Sequence, residues 1–311
     1  MEAVIPGGTV AQAYGPDWAP VEHRRVTSFD GTEIAYQVIG PDGAGDRRPV
    51  VLLANGLGGT YLAFRHQYAY LTERYRFVSW DYRGLYRSAR PADPTALSMR
   101  DQARDALAVL DAEGVDRAVI VGWSMGVQVN LEVVRAAPAR VAAFVAINGT
   151  SGLPFHTVFG GRLPVAITEL LLRLSRWQHQ RVRRLTNATV GIPWLPRALK
   201  ALRLVSPTAD DSILRDVARD WAMVDMDTYL DTLMALGAHD ASDVLDDIRV
   251  PALVMAGTDD FFTPVAVARA MADRVTGAEL SIVPTGTHYL PAEFPELVNL
   301  RLERFLDRIG R

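Results

Sequence analysis

The chain has 311 residues, 49% of them hydrophobic and 22% charged, with a formal net charge of −3 and no cysteine. That length gives one large domain or two small ones, and the apolar fraction excludes a disordered chain. The near-neutral charge gives no basis for nucleic acid as a partner, and the missing cysteine excludes a disulfide framework, a zinc–thiolate site and a thiolate nucleophile.

Residues 1–24 are rich in glycine and proline towards their start and read as a loosely held arm. They carry no basic segment followed by an apolar run, and no stretch of about 18 apolar residues exists, so the expectation is a cytoplasmic protein without a membrane span. Two strands are predicted at 25–29 and 33–39, joined at Asp30-Gly31. From Val50 the pattern changes to short apolar runs without alternation, at 50–54, 77–80, 118–121, 141–147, 252–256 and 280–283. Such runs mark parallel strands covered on both faces. Helical patterns separate them. One covers 99–113, with Ser98 as N-cap and Asp101 as its capping-box acid. Others cover 127–135, 265–275 (Thr263 as N-cap, Pro264 in the first turn) and 296–309. Strand and helix in alternation predict an α/β fold with a doubly wound sheet, whose site lies at the carboxyl ends of the strands.

The alternation stops between 151 and 247. This stretch carries helical patterns at 163–185 and 212–236 but no strand, and reads as a helical cap inserted into a core of residues 1–150 and 248–311. Its charge is divided: 160–205 carries +8 and includes the chain's only lysine, Lys200, whereas 206–247 carries −9. The apolar spacing in 163–185 beside Arg173, Arg176, Arg181, Arg183 and Arg184 describes a basic amphipathic helix. Such a helix suits an anionic surface or an acidic partner such as an acyl carrier protein.

Gly122-Trp123-Ser124-Met125-Gly126 fits G-x-S-x-G between a buried strand and a helix. A serine on so tight a turn needs small residues two before and two after it, and its hydroxyl then stands at the positive end of the helix dipole. A serine nucleophile needs a base. Of the six histidines, His23 is assigned to the arm, His66 to a helix, and His156, His179 and His239 to the insertion. His288 alone follows a core strand through a short loop. The third member must be a carboxylate. The loop after 252–256 offers Asp259 and Asp260, of which Asp260 is preferred, while Asn148-Gly149-Thr150-Ser151 after 141–147 offers none. Backbone N–H groups of Met125 and of Leu57, in the loop Asn55-Gly56-Leu57-Gly58-Gly59, are the expected oxyanion donors. Substrate contacts are expected from Asn55, Trp123, Phe155, Phe159, Trp194, Phe261 and Tyr289. No metal or cofactor is called for.

Together these residues resemble the α/β-hydrolase superfamily, in its serine-nucleophile, esterase- and lipase-like branch with a helical cap. The resemblance spans about residues 25–309 apart from the insertion. It rests on GWSMG, on GTDDFFTP (a G-x-x-D-x-x-x-P pattern that favours Asp260) and on GTHYLPAEFPE around His288. It implies a carboxylic ester hydrolase for a small hydrophobic substrate, or the same triad opening a lactone, hydrolysing a C–C bond or transferring an acyl group. A ligand cup without catalysis is the rival from another class. The GWS elbow is similar to that of carrier-protein methyl ester esterases. Two departures stand out: Asn55-Gly56 replaces the usual His-Gly, and Tyr86 replaces the second glycine of the D-x-R-G-x-G-x-S loop at 81–88. Serine at position 124 sets the chain apart from the dehalogenase and epoxide-hydrolase branches.

Overall fold

The computed structural model describes residues 19–41, 48–157 and 194–309. Among these, eight strands form one sheet in the order β1-β2-β4-β3-β5-β6-β7-β8. Strands β1 (Val21–Thr27) and β2 (Glu33–Ile39) form an antiparallel hairpin. Its turn is closed by Gly31 at φ +84° and by Asp30 Oδ1, which accepts from Thr32 N at 3.1 Å. Pairing starts at Val21, so residues 21–24 belong to the sheet and not to the arm, and His23 is a strand residue. Apart from Val21 these residues are polar, all four are half-buried, and an edge strand held by backbone bonds needs no apolar pattern to announce it.

Strands β3 (Val50–Ala54), β4 (Arg76–Trp80), β5 (Ala118–Trp123), β6 (Val141–Ile147), β7 (Ala252–Gly257) and β8 (Glu279–Val283) all run parallel. In β3, Val50, Leu52 and Ala54 enter the core on one face and Val51 and Leu53 the core on the other. Burial on both faces is why these strands read as unbroken apolar runs.

Helices α1 (Arg65–Leu71), α2 (Met99–Ala112) and α3 (Met125–Ala136) follow β3, β4 and β5. The α2 capping box forms as read, with Ser98 and Asp101 each accepting the other's backbone N–H. Beyond β6 the chain leaves the sheet, and β6 pairs directly with β7, Phe144 beside Ala252. The described part of the insertion contains α4 (Leu195–Ala201), α5 (Asp211–Ala222) and α6 (Met226–Gly237). The single helical pattern at 212–236 is therefore two helices. Asp225 breaks it by capping α6, its carboxylate accepting from Thr228 N at 2.8 Å. The basic pattern at 163–185, with its arginines, and Phe159 lie outside the described residues. The chain ends with α7 (Val265–Arg274), the short α8 (Leu290–Glu293) and α9 (Pro295–Ile309). Pro264, not Thr263, is the N-cap of α7, because the Thr263 hydroxyl goes to Asp260 instead. Among the described residues no helix is long and apolar enough to cross a membrane.

The order β4-β3-β5 reverses the direction in which strands are added, and the loops after β3 and β5 part there. A crevice at the carboxyl ends of the strands results, and a doubly wound sheet binds its ligand at such a point.

Candidate active site

Ser124 is the one residue between β5 and α3, and its backbone adopts φ 55°, ψ −118°, a conformation that L side chains rarely hold. The neighbours explain how it is tolerated. A Cβ on Gly126 would stand 2.0 Å from Ala54 O, and one on Gly122 would stand 2.6 Å from the Gly126 carbonyl. Glycine at both positions lets the turn close against β3. Ser124 N donates to Ile147 O at 3.0 Å, which ties the turn to β6.

His288 arrives from β8 through a loop in which Thr285 has φ 59° and a Cβ on Gly286 would meet Leu290 at 2.4 Å. Trp123 Nε1 donates to His288 O at 2.8 Å. His288 Nε2 lies 2.8 Å from Ser124 Oγ and Nδ1 lies 2.8 Å from Asp260 Oδ2. An ionised Asp260 is an acceptor, so Nδ1 carries the proton and Nε2 accepts from the serine hydroxyl. Asp259 is exposed and accepts from Thr258 Oγ1 at 2.9 Å, away from His288.

Asp260 is buried, and burial pushes its carboxyl upward. The electrostatic attraction of His288 and the bonds from His288 and Thr263 outweigh this and hold it below the usual carboxylate range. Its Oδ1 accepts from Phe262 N (2.8 Å) and Thr263 N (3.0 Å), and its Oδ2 also accepts from Thr263 Oγ1 (2.6 Å) and Asn148 Nδ2 (2.7 Å). The sequence does not mark Asn148 as part of the site, because it carries no carboxylate of its own. Its amide also donates to Thr287 O at 2.6 Å, so it holds acid and histidine loop in register. The one sequence signal was its place directly after a core strand, where the backbone turns to φ 44°.

A cavity of about 320 Å³ opens over Ser124 and His288, and Leu57 and Met125 line it as well. Neither of their N–H groups donates to a backbone carbonyl of the described residues. Of the expected substrate contacts, Phe155 and Tyr289 line this cavity. Burial, with lesser contributions from Tyr229 and Glu293, pushes the Tyr289 phenol up to about 12, so it stays protonated. The other described candidates stand elsewhere. Asn55 is buried beneath the loop, donating to Ser79 Oγ at 2.9 Å and accepting the Tyr82 hydroxyl at its carbonyl. Trp123 packs behind His288, and Trp194 is 58% exposed at the start of α4. Phe262 replaces Phe261 at the cavity wall, its ring 4.9 Å from His288. The turn that brings the Phe262 and Thr263 amides onto Asp260 puts position 262 there and stacks Phe261 behind it. Tyr229, Leu233 and Leu236 of α6 also line the cavity. Their i, i+4, i+7 spacing was a legible apolar stripe, but the sequence could not say which surface it faced. Among the described residues no group of three or more histidine, aspartate or glutamate side chains is placed to hold a metal ion.

The model of the alpha/beta hydrolase fold family matches residues 49–295. Relatives named as carbamate hydrolase RutD include one from Caulobacter segnis, 29% identical over 88% of this chain and 96% of that protein. Another, from Caulobacter sp. strain K31, is 30% identical over 85% of this chain and 92% of its own length. Among solved structures, a hydrolase from Pseudomonas aeruginosa PA01 superimposes with a TM-score of 0.72 at 25% identity, covering 91% of this chain and 98% of that one. An enol-lactonase from Burkholderia xenovorans LB400 shares the fold, with a TM-score of 0.72 at 22% identity, covering 91% and 100%. A family match over most of the chain, a reversed strand order at the crevice and a serine on its strand-to-helix turn lead to one assignment: the chain belongs to the alpha/beta hydrolase fold family, and it is a hydrolase.

Proposed function

We propose that this hydrolase cleaves carboxylic esters with a hydrophobic acyl or alcohol part, using Ser124 as nucleophile. The observation that carries the reading is the unbroken hydrogen-bonded series from Ser124 Oγ through His288 to Asp260, each step 2.8 Å, opening into a cavity with Leu57, Phe155, Leu233 and Leu236 in its wall.

In the first half-reaction Ser124 Oγ bonds to the ester carbonyl carbon as its proton passes to His288 Nε2. Asp260 keeps Nδ1 protonated and stabilises the imidazolium that forms. The carbonyl π electrons move to oxygen, and the backbone N–H groups of Leu57 and Met125 receive that oxyanion. Its collapse breaks the carbon–alkoxy bond, and the leaving alcohol takes the proton from Nε2. Water then repeats the sequence on the acyl-serine, giving the acid and restoring the serine.

The relatives named as carbamate hydrolases favour a second reading, in which the acyl carbon belongs to a carbamate. The same steps serve it, so the substrate decides. A panel of chromogenic esters graded by acyl length, with a lactone and a carbamate alongside, separates the two when run on wild type and Ser124→Ala. Ester turnover that falls by about 10⁴-fold or more in the variant supports the mechanism. Turnover surviving the substitution overturns it, and turnover of the carbamate alone selects the second reading.

A further inference from the structure

Gln128 stands on α3 four residues after Ser124 and lines the same cavity, yet the steps above make no use of it. Its amide is held from two sides. Nε2 donates to Gly152 O at 2.7 Å, and Oε1 faces Nδ1 of His239, which follows α6 in the insertion. Turned over, the amide would set its oxygen against the Gly152 carbonyl oxygen, so one orientation is selected. On the other side of the imidazole, Nε2 lies 2.9 Å from Glu132 Oε1. Arg135 and Arg100 approach the second oxygen of Glu132 at 3.1 and 3.4 Å. Burial pushes the Glu132 carboxyl up, but the bond from His239 and the charges of Arg135, His239 and Arg100 leave it below the usual range. An ionised carboxylate and an amide oxygen are both acceptors, so each ring nitrogen of His239 faces an acceptor. A chain of contacts from the exposed Arg135 through the buried Glu132 and the part-buried His239 thus ends on one neutral amide at the cavity wall.

An amide nitrogen carries two hydrogens. One of Gln128's goes to Gly152, and among the described residues the second has no acceptor. A donor fixed this firmly beside Phe155, Leu233 and Leu236 needs a partner to offset its desolvation. From this we infer that Gln128 Nε2 donates to an oxygen of the substrate, so that the preferred ester carries a second oxygen acceptor and is not a plain hydrocarbon ester. Four residues at a rise of about 1.5 Å set the backbone of Gln128 roughly 6 Å along α3 from that of Ser124. An acceptor a few bonds from the scissile carbonyl carbon, in the acyl or the alcohol chain, is then the one to probe. Gln128 is then a specificity residue, and His239 and Glu132 are the positioning residues that aim it.

The inference rests on the ester reading, and the test keeps the two apart. Two matched pairs exchange one methylene for an ether oxygen: 4-nitrophenyl hexanoate against 4-oxahexanoate on the acyl side, and pentyl acetate against 2-ethoxyethyl acetate on the alcohol side. The readout is the oxygen-to-methylene ratio of kcat/KM, from which any loss common to both members cancels. In Gln128→Met this ratio falls about tenfold in one of the pairs, the factor that one neutral hydrogen bond supplies. Gln128→Asn, which withdraws the amide by one methylene, carries the same expectation should the first variant not fold. In His239→Leu the ratio falls about threefold or more as the amide loses its fixed orientation, whereas a loss of packing alone lowers both members equally. A ratio unchanged in the Gln128 variants on both pairs overturns the inference and leaves the ester reading standing. Hydrolysis that persists in Ser124→Ala overturns the ester reading itself.

Discussion

At Asp260 five donors converge on one buried carboxylate, from Phe262, Thr263, Asn148 and His288. An asparagine there must turn an NH₂ towards one of these donors, and it gives the imidazolium no opposing charge. Asp260→Asn is therefore expected to lower kcat on a chromogenic ester by about 10⁴-fold, whereas Asp259→Asn stays within about threefold of wild type. Comparable losses in both variants would mean that the acid is misassigned. A second buried acid behaves differently. Asp81 is pushed up to about 6 by burial, which outweighs the hydrogen bond from Arg87 N, the Arg87 charge and the bond from Gln37. A carboxyl whose folded-state pKa is raised adds stability below its unfolded value, and that stability is lost as pH rises through about 6. The stability of wild type relative to Asp81→Asn should thus fall between pH 4 and pH 7 by on the order of 3 kcal/mol, read from urea melts. A difference that stays flat with pH would show that Asp81 ionises without cost. Neither acid's state could be read from the sequence, because ionisation depends on burial and on donors brought in from other strands.

The elements were legible wherever local chemistry fixes them. The capping box Ser98/Asp101 starts α2 where the sequence placed it, since both partners lie within one turn. The elbow was legible for the same reason: GWSMG is five consecutive residues whose sterics are set by their own backbone and one facing strand. Gly126→Ala tests this scale. A Cβ placed 2.0 Å from Ala54 O forces β3 and α3 apart, so the variant should lose at least about 3 kcal/mol of stability or fail to accumulate folded. A variant with wild-type melting and activity would show that the approach of α3 to β3 is not needed. The details that the sequence missed have different causes. The Thr263 hydroxyl is taken by Asp260, three residues before it, so Thr263 does not cap α7, although α7 starts at Val265 as the pattern at 265–275 places it. β1 begins at Val21 because β2 offers backbone partners, in a stretch whose side chains carry no apolar pattern.

On the scale of the whole molecule, the insertion meets the core through polar contacts reaching across the crevice. Thr60 Oγ1 donates to Asp220 Oδ2 at 2.9 Å, and Ser206 N donates to Glu293 Oε1 at 3.0 Å. Asp210 combines two roles. Its carboxylate caps α5 by accepting from Ser212 N at 2.7 Å, and it meets Arg65 and His66 of α1 at 3.3 and 3.0 Å. Asp210→Ala should speed amide exchange across residues 211–222 by about tenfold, equivalent to ~1.4 kcal/mol of local stability, while amides of β5 keep their protection. Equal acceleration in both elements would mean that the insertion and the sheet open as one unit. The formal charge of −3 described none of this, since the −9 of residues 206–247 includes the acids spent on these contacts.

The sequence by itself determined the parallel strands, the elbow, the serine on it as the candidate nucleophile, and where the alternation of strand and helix stops. Each of these is written in consecutive residues, through periodicity, small-residue sterics and the lack of any cysteine. Only the tertiary structure decided that Asp260 rather than Asp259 faces His288, that Asn148 holds the two in register, and that Phe262, Gln128 and one face of α6 wall the cavity. Those relations join residues separated by tens to more than a hundred positions, and their distances exist only once the sheet has brought its carboxyl ends together.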